Sequence, residues 1–258
     1  MFLGIIFCAV FALSSPKEVR PAYDPVLVAR GQQYLADLHT RACLELDREN
    51  VMSRAVQDKL VCELADPRLT QIIPLLEQGD PSAILGDKIT RERARIYTLI
   101  ATQGADAYKL KKQPTNSHKK HKLKKPRGNS HGMYQMTVKT YHAMRKGYPA
   151  ANLPKKFMGC SQDHVCSAKF AILYNDANTS FLARRIPARW HEKMPIKTFA
   201  HARYLAGAYT SGMPAYYMVR QSRADPSWVK KMPKAQWRNY LQMLENLWYA
   251  PQFNEVNT

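Results

Sequence analysis

The sequence is short of acid. Asp and Glu number 20 against 39 Lys and Arg, which leaves a formal net charge of +19 at pH 7. A field of that sign attracts anionic polymers and surfaces: nucleic acid, acidic lipid head groups, or a carboxylate-bearing cell wall. The apolar run Phe2 to Leu13 falls short of the about 20 residues that a membrane-spanning helix needs. There is no Cys-x-x-Cys pair, so the spacings typical of zinc sites and of thioredoxin-like redox chemistry are missing. No aromatic residue lies between Lys109 and Arg127, the most basic stretch, which argues against a binder that stacks single-stranded bases. No internal repeat emerges.

What is present reads as an ordinary globular chain of one or two domains, since 258 residues with 45% hydrophobic composition can bury a full core. The run Phe2 to Leu13 ends in Ala12-Leu13-Ser14 ahead of Ser15, small residues at signal-peptidase offsets, so residues 1–15 are expected to be a signal peptide. No Lys or Arg precedes the run, and the alternative is a buried N-terminal helix. Cys8 follows Ile5-Ile6-Phe7, a poor lipoprotein box, and no lipid anchor is expected. Cys43, Cys62, Cys160 and Cys166 remain. An even count in an exported chain suggests disulfides, and four cysteines allow three connectivities. The local pairing joins Cys43 to Cys62 and Cys160 to Cys166; without export, buried free thiols are the alternative.

Helix signals recur along the chain. Asp24-Pro25, Asp66-Pro67, Asp80-Pro81 and Asp225-Pro226 each place a capping carboxylate before a proline suited to a first turn. The apolar spacing from Val28 to Leu46 predicts a helix from Val26. A second is predicted over Ser53 to Leu64, forming a hairpin that brings Cys43 near Cys62. Ile72 to Leu76, closed by Gly79, predicts a third, with Pro74 kinking or breaking it. Lys88 to Gln103 carries Ile89, Ile96, Tyr97 and Ile100 on one face, which directs Gln103 inward beside Gly104. Further helices follow from Phe170 to Leu182, Phe199 to Ala208, and Trp237 to Trp248. The fold class is therefore mainly α, with a small helical N-terminal subdomain over 16–87.

The insertion at 109–127 holds nine Lys and Arg and no acid. Its densest part is Lys119, Lys120, Lys122, Lys124 and Lys125, and such blocks serve as attachment segments for anionic surfaces. His118 and His121 amid lysines make a weak metal signal. Neither metal nor cofactor is expected.

Three pieces stand out together: the helix ending at Gln103, the segment Gly132-Met133-Tyr134-Gln135-Met136-Thr137, and Ala208-Tyr209-Thr210-Ser211-Gly212. They resemble the lytic transglycosylases of the lysozyme superfamily, in which a helix ends in a catalytic glutamate. A Gly-Leu-Met-Gln loop follows there, and later an Ala-Tyr-Asn-Ala-Gly segment. Val138 stands in place of the family's proline and Thr210 in place of its asparagine. The resemblance implies a lysozyme-like domain over 88–258, with peptidoglycan glycan strands as partner. It implies that Gly132, Met133, Gln135, Thr137, Tyr209 and Gly212 line the cleft.

Gln103 occupies the acid position in this alignment of motifs. An amide can bind sugar hydroxyls but cannot donate a proton at useful acidity. The first expectation is thus an exported peptidoglycan-binding protein with weak or absent cleavage, suited to an envelope-spanning assembly and its subunits. The second is an active lytic transglycosylase whose acid lies elsewhere; Asp106, the single acid between Gln103 and Tyr148, is short and lies beyond the helix end. The third is a basic nucleic-acid-binding protein, against which the export signal and the aromatic-free basic block both count.

Overall fold

The protein is described by a computed structural model that covers residues 23–103 and 130–251. The expected signal peptide and the basic insertion at 109–127, with Lys119, Lys120, Lys122, Lys124 and Lys125, lie outside the described residues. The chain is mainly helical. In order it forms α1 (Pro25–Arg48), α2 (Val61–Leu64), α3 (Pro67–Gln78), α4 (Pro81–Leu85) and α5 (Ile89–Gln103). A short hairpin, β1 (Ser130–His131) and β2 (Met136–Thr137), comes next. Then follow α6 (Val138–Gly147), α7 (Phe157–Gln162), α8 (His164–Ala183), α9 (Ala188–His191), α10 (Phe199–Ser211), α11 (Met213–Gln221) and α12 (Ala235–Tyr249).

The four Asp-Pro signals act as read. Asp24, Asp66, Asp80 and Asp225 each accept a hydrogen bond from the backbone N–H two residues on, at 2.8–2.9 Å. This satisfies one of the orphan donors at each helix or 3-10 start.

The helix expected over Ser53 to Leu64 is shorter, because a distant carboxylate claims its first half. Asp176, buried on α8, accepts from Ser53 Oγ at 2.5 Å, from the Arg54 N–H at 2.7 Å and from the Tyr148 hydroxyl at 2.6 Å. With Ser53 and Arg54 held there, residues 51–60 run as a loop closed by the Met52–Leu60 bridge, and only Val61–Leu64 is helical. The cysteines still meet. Cys43 on α1 and Cys62 on α2 are bridged with Cα atoms 5.5 Å apart, and Cys160 on α7 is bridged to Cys166 on α8 at 5.0 Å.

Helix α8 is the axis of the molecule, buried along most of its length, with α1, α2, α6, α7 and α10 around it. Its Lys169, also buried, reaches the Glu49 carboxylate at the end of α1 at 2.7 Å. Helix α1 also lies closely on α5, where Gly31 faces the Tyr97 carbonyl; a Cβ there would come within 2.0 Å of that oxygen. The buried apolar residues form one continuous core from Val28 to Leu247. The expected boundary at 87/88 falls between α4 and α5, and α1 spans it by packing on both α5 and α8. Among the described residues, no helix is long and apolar enough to cross a membrane.

Candidate functional site

Helix α3 runs through Pro74 without a break. Proline has no N–H, so the carbonyl four residues earlier, that of Thr70, loses its helical donor. The Tyr134 hydroxyl takes that place, donating to Thr70 O at 3.2 Å from a fully buried ring. What the sequence presents as a helix breaker is thus the notch that receives the hairpin. One turn later the Gln78 side-chain amide donates to the Met133 carbonyl at 3.2 Å. The hairpin loop is docked onto the last turns of α3 at two points.

The loop itself is tightly constrained. Register pairs Ser130 with Thr137 and His131 with Met136, and residues 132–135 turn between them with Gly132 at φ +79° and Gln135 at φ +48°. Gly132 is required twice over: its φ is left-handed, and a Cβ would meet the Ser161 carbonyl oxygen at 2.5 Å. The Gln135 amide donates to the Gly132 carbonyl at 2.8 Å, inside the turn. Thr137 closes the hairpin and caps α6, its hydroxyl accepting from the Thr140 N–H at 3.3 Å. The Met133 side chain is buried in the core.

The second motif segment arrives from α10. Tyr209 donates its hydroxyl to the Tyr134 carbonyl. Its ring stands edge-on to Tyr174 at 5.4 Å, and Tyr174 donates to the Ala208 carbonyl at 3.1 Å. Gly212, at φ +67° with open space around it, makes the corner between α10 and α11. The two segments, 75 residues apart, therefore meet at one point through Tyr209 and Tyr134.

A carboxylate stands beside that point. Glu77 immediately precedes Gln78 at the end of α3, and Tyr240 of α12 donates to Glu77 Oε1 at 2.6 Å. Burial first, and the Glu77 carboxylate second, hold both the Tyr209 and the Tyr240 phenols well above their ordinary pKa. Both hydroxyls consequently keep their protons and act as donors. The helix end that carries Glu77 is pinned from below. Arg95 donates to the Gln78 carbonyl at 3.2 Å and forms an ion pair with Glu92 at 2.7 Å, and Glu92 accepts from the Asp80 N–H at 2.7 Å. A cation against the last carbonyls of a helix also suits its dipole.

Comparison with family models, with curated proteins and with solved structures finds no match for this chain.

The arrangement stands on its own geometry: two motif loops joined by Tyr209, and one carboxylate held by a half-buried tyrosine. Gln103, read from the sequence as the acid position, is the last residue of α5, and its side chain lies outside the described residues. The carboxylate whose charge reaches Tyr209, that of Glu77, belongs to an earlier helix. A local signal for it exists: Leu75-Leu76-Glu77-Gln78-Gly79 is a polar helix end followed by glycine, the same feature that singles out Gln103 before Gly104. Tyr240 has no such signal, since its stripe on α12 reads as packing.

Proposed function

We propose that the protein cleaves the glycan strands of peptidoglycan in the manner of a lytic transglycosylase, with Glu77 as its acid and base. This is the second of the expectations raised by the sequence. It overtakes the binding-only reading because that reading rested on the lack of a carboxyl group beside the motif loops. The observation that carries it is the Glu77 carboxylate, held by Tyr240 and acting electrostatically on the Tyr209 phenol that joins the two motif segments.

In this reading Glu77 gives its proton to the glycosidic oxygen between N-acetylmuramic acid and N-acetylglucosamine, and the bond to the muramyl C1 breaks. The Glu77 carboxylate then takes the proton of the same sugar's C6 hydroxyl, whose oxygen closes on C1 to form the 1,6-anhydro ring. The proton returns to Glu77 and the site is ready again. One group serves both steps, so no second carboxylate is needed. Tyr240 orients the carboxyl, and Tyr209 fixes the hairpin loop through the Tyr134 carbonyl. The two disulfides support folding in an oxidising compartment, consistent with export to the cell envelope and with the net charge of +19 facing an anionic wall.

The test is release of anhydro-muropeptides from purified sacculi, followed by mass spectrometry. Wild type and Gln103→Ala are expected to release them at comparable rates. Glu77→Gln keeps the volume and removes the proton, and its rate is expected to fall by about 10²- to 10⁴-fold. Release unaffected by Glu77→Gln would sink the assignment. Wild-type protein that binds sacculi without releasing product would return the reading to a binding protein.

A further inference from the structure

A second feature lies away from the glycan site, at the far end of α6. Its last turns carry His142, Arg145 and Lys146, which share one helix face at spacings of three and four residues. The chain then turns back through a 3-10 turn at Pro149–Ala151. Asn152 and Lys155 follow, so that these five side chains and the buried Leu153 line a groove of about 530 Å³. No Asp or Glu occurs in the sequence between Asp106 and Asp163. Among the described residues, Arg145, Lys146 and Lys155 form no ion pair.

The walls are built rather than loose. Asn152 holds the left-handed conformation at φ +46° and closes the turn through its N–H to the Pro149 carbonyl at 3.4 Å. Tyr141, buried beneath the helix, donates to the Pro154 carbonyl. Tyr148 ties the helix end to Asp176. That buried carboxylate accepts from Ser53, Arg54 and Tyr148 and does not line the groove. Arg54 adds a further cation at the margin, its guanidinium lying over the Tyr148 ring at 5.6 Å.

We infer that this groove binds phosphate groups carried in series on a chain without bases. Three permanent cations converging on one concavity repel one another, and a single carboxylate would offset only one of them. Successive phosphates answer all three, and Arg145 with the Asn152 amide supplies directional donors to their oxygens. The groove is lined by no aromatic ring, so nothing there would stack a nucleobase. Its two apolar wall residues are the buried Leu153 and Pro149, the first residue of the 3-10 turn, so no long apolar side chain there would insert into a bilayer.

The probe is inorganic tripolyphosphate added to the full-length protein at low salt. The readouts are the His142 ring protons and the Arg145 side-chain N–H by nuclear magnetic resonance. These report the groove itself, whatever the insertion at 109–127 also binds. Both signals are expected to shift saturably. Lys146→Gln with Lys155→Gln, both exposed, should weaken binding about tenfold. Arg41→Gln with Lys230→Gln removes the same charge from exposed positions elsewhere and should leave binding within about twofold. Unmoved His142 and Arg145 signals, or equal loss in the two double variants, would overturn the site. An equal response to citrate would overturn phosphate as the ligand. A response to single-stranded DNA or phosphatidylglycerol vesicles, without one to tripolyphosphate, would overturn the base-free chain.

Discussion

Tyr240 donates its phenolic hydrogen to Oε1 of Glu77 at 2.6 Å across a separation of 163 residues. The bond joins the last helix to the end of α3. It gives a helix that reads as packing a direct hold on the carboxyl group proposed to do the chemistry.

A phenol that donates to a carboxylate favours its ionised form. Tyr240→Phe removes the donor while keeping the ring. The alkaline limb of the activity profile on sacculi, set by loss of the acid's proton, should therefore move to higher pH. An unchanged profile would mean that Tyr240 only fills space.

Tyr134 and Pro74 should be energetically coupled. Tyr134→Phe leaves the Thr70 carbonyl without its donor, a loss of about 1–3 kcal/mol in urea unfolding. In a Pro74→Ala background the restored Ala N–H can serve Thr70, so the same change should cost less. A double-mutant cycle measures the difference. Strict additivity would show that the hydroxyl is not standing in for the missing helical bond.

His201 should make the fold acid-sensitive. It is buried, and its Nε2 lies 2.9 Å from the Thr179 hydroxyl, which itself donates to the Asn175 carbonyl. Burial lowers its pKa from 6.5 to about 4. The unfolded chain therefore binds the proton first: the full contribution is present above pH 6.5 and is lost progressively as pH falls towards 4. The whole window corresponds to on the order of 3 kcal/mol. Unfolding free energies of wild type and His201→Gln, measured from pH 7 to pH 4, should converge at the acid end. Parallel curves would contradict this.

Both disulfides should survive isolation under non-reducing conditions, with peptide mapping recovering Cys43 linked to Cys62 and Cys160 linked to Cys166. Replacing the first pair by serine is expected to cost about 2–4 kcal/mol. Recovery of four free thiols from the native compartment would contradict the pairing and the export reading alike.

Much of the fold was legible because its signals are local. An aspartate before a proline caps a first turn whatever surrounds it, and Asp24, Asp66, Asp80 and Asp225 all do so. The apolar spacings that predicted α1, α5, α8 and α12 depend on helix geometry alone. The short loops Cys43–Cys62 and Cys160–Cys166 could close with little constraint from the rest of the chain. The expectation for Ser53 to Leu64 failed for the opposite reason, since Asp176, some 122 residues away, captures the backbone at Arg54.

The segments 132–137 and 208–212 could be singled out from their own residues, and so could the polar helix end at Gln103. What a helix end meets was beyond local reading. Glu77 and Gln103 share the same short-range features: a polar residue, an apolar helix before it, a glycine just after. Periodicity places each on a face of its own helix but carries no information about what that face meets. Only the tertiary structure opens the vacancy at Pro74 that Tyr134 fills, seats the Met133 carbonyl on Gln78, and brings Tyr240 from α12 onto the Glu77 carboxylate.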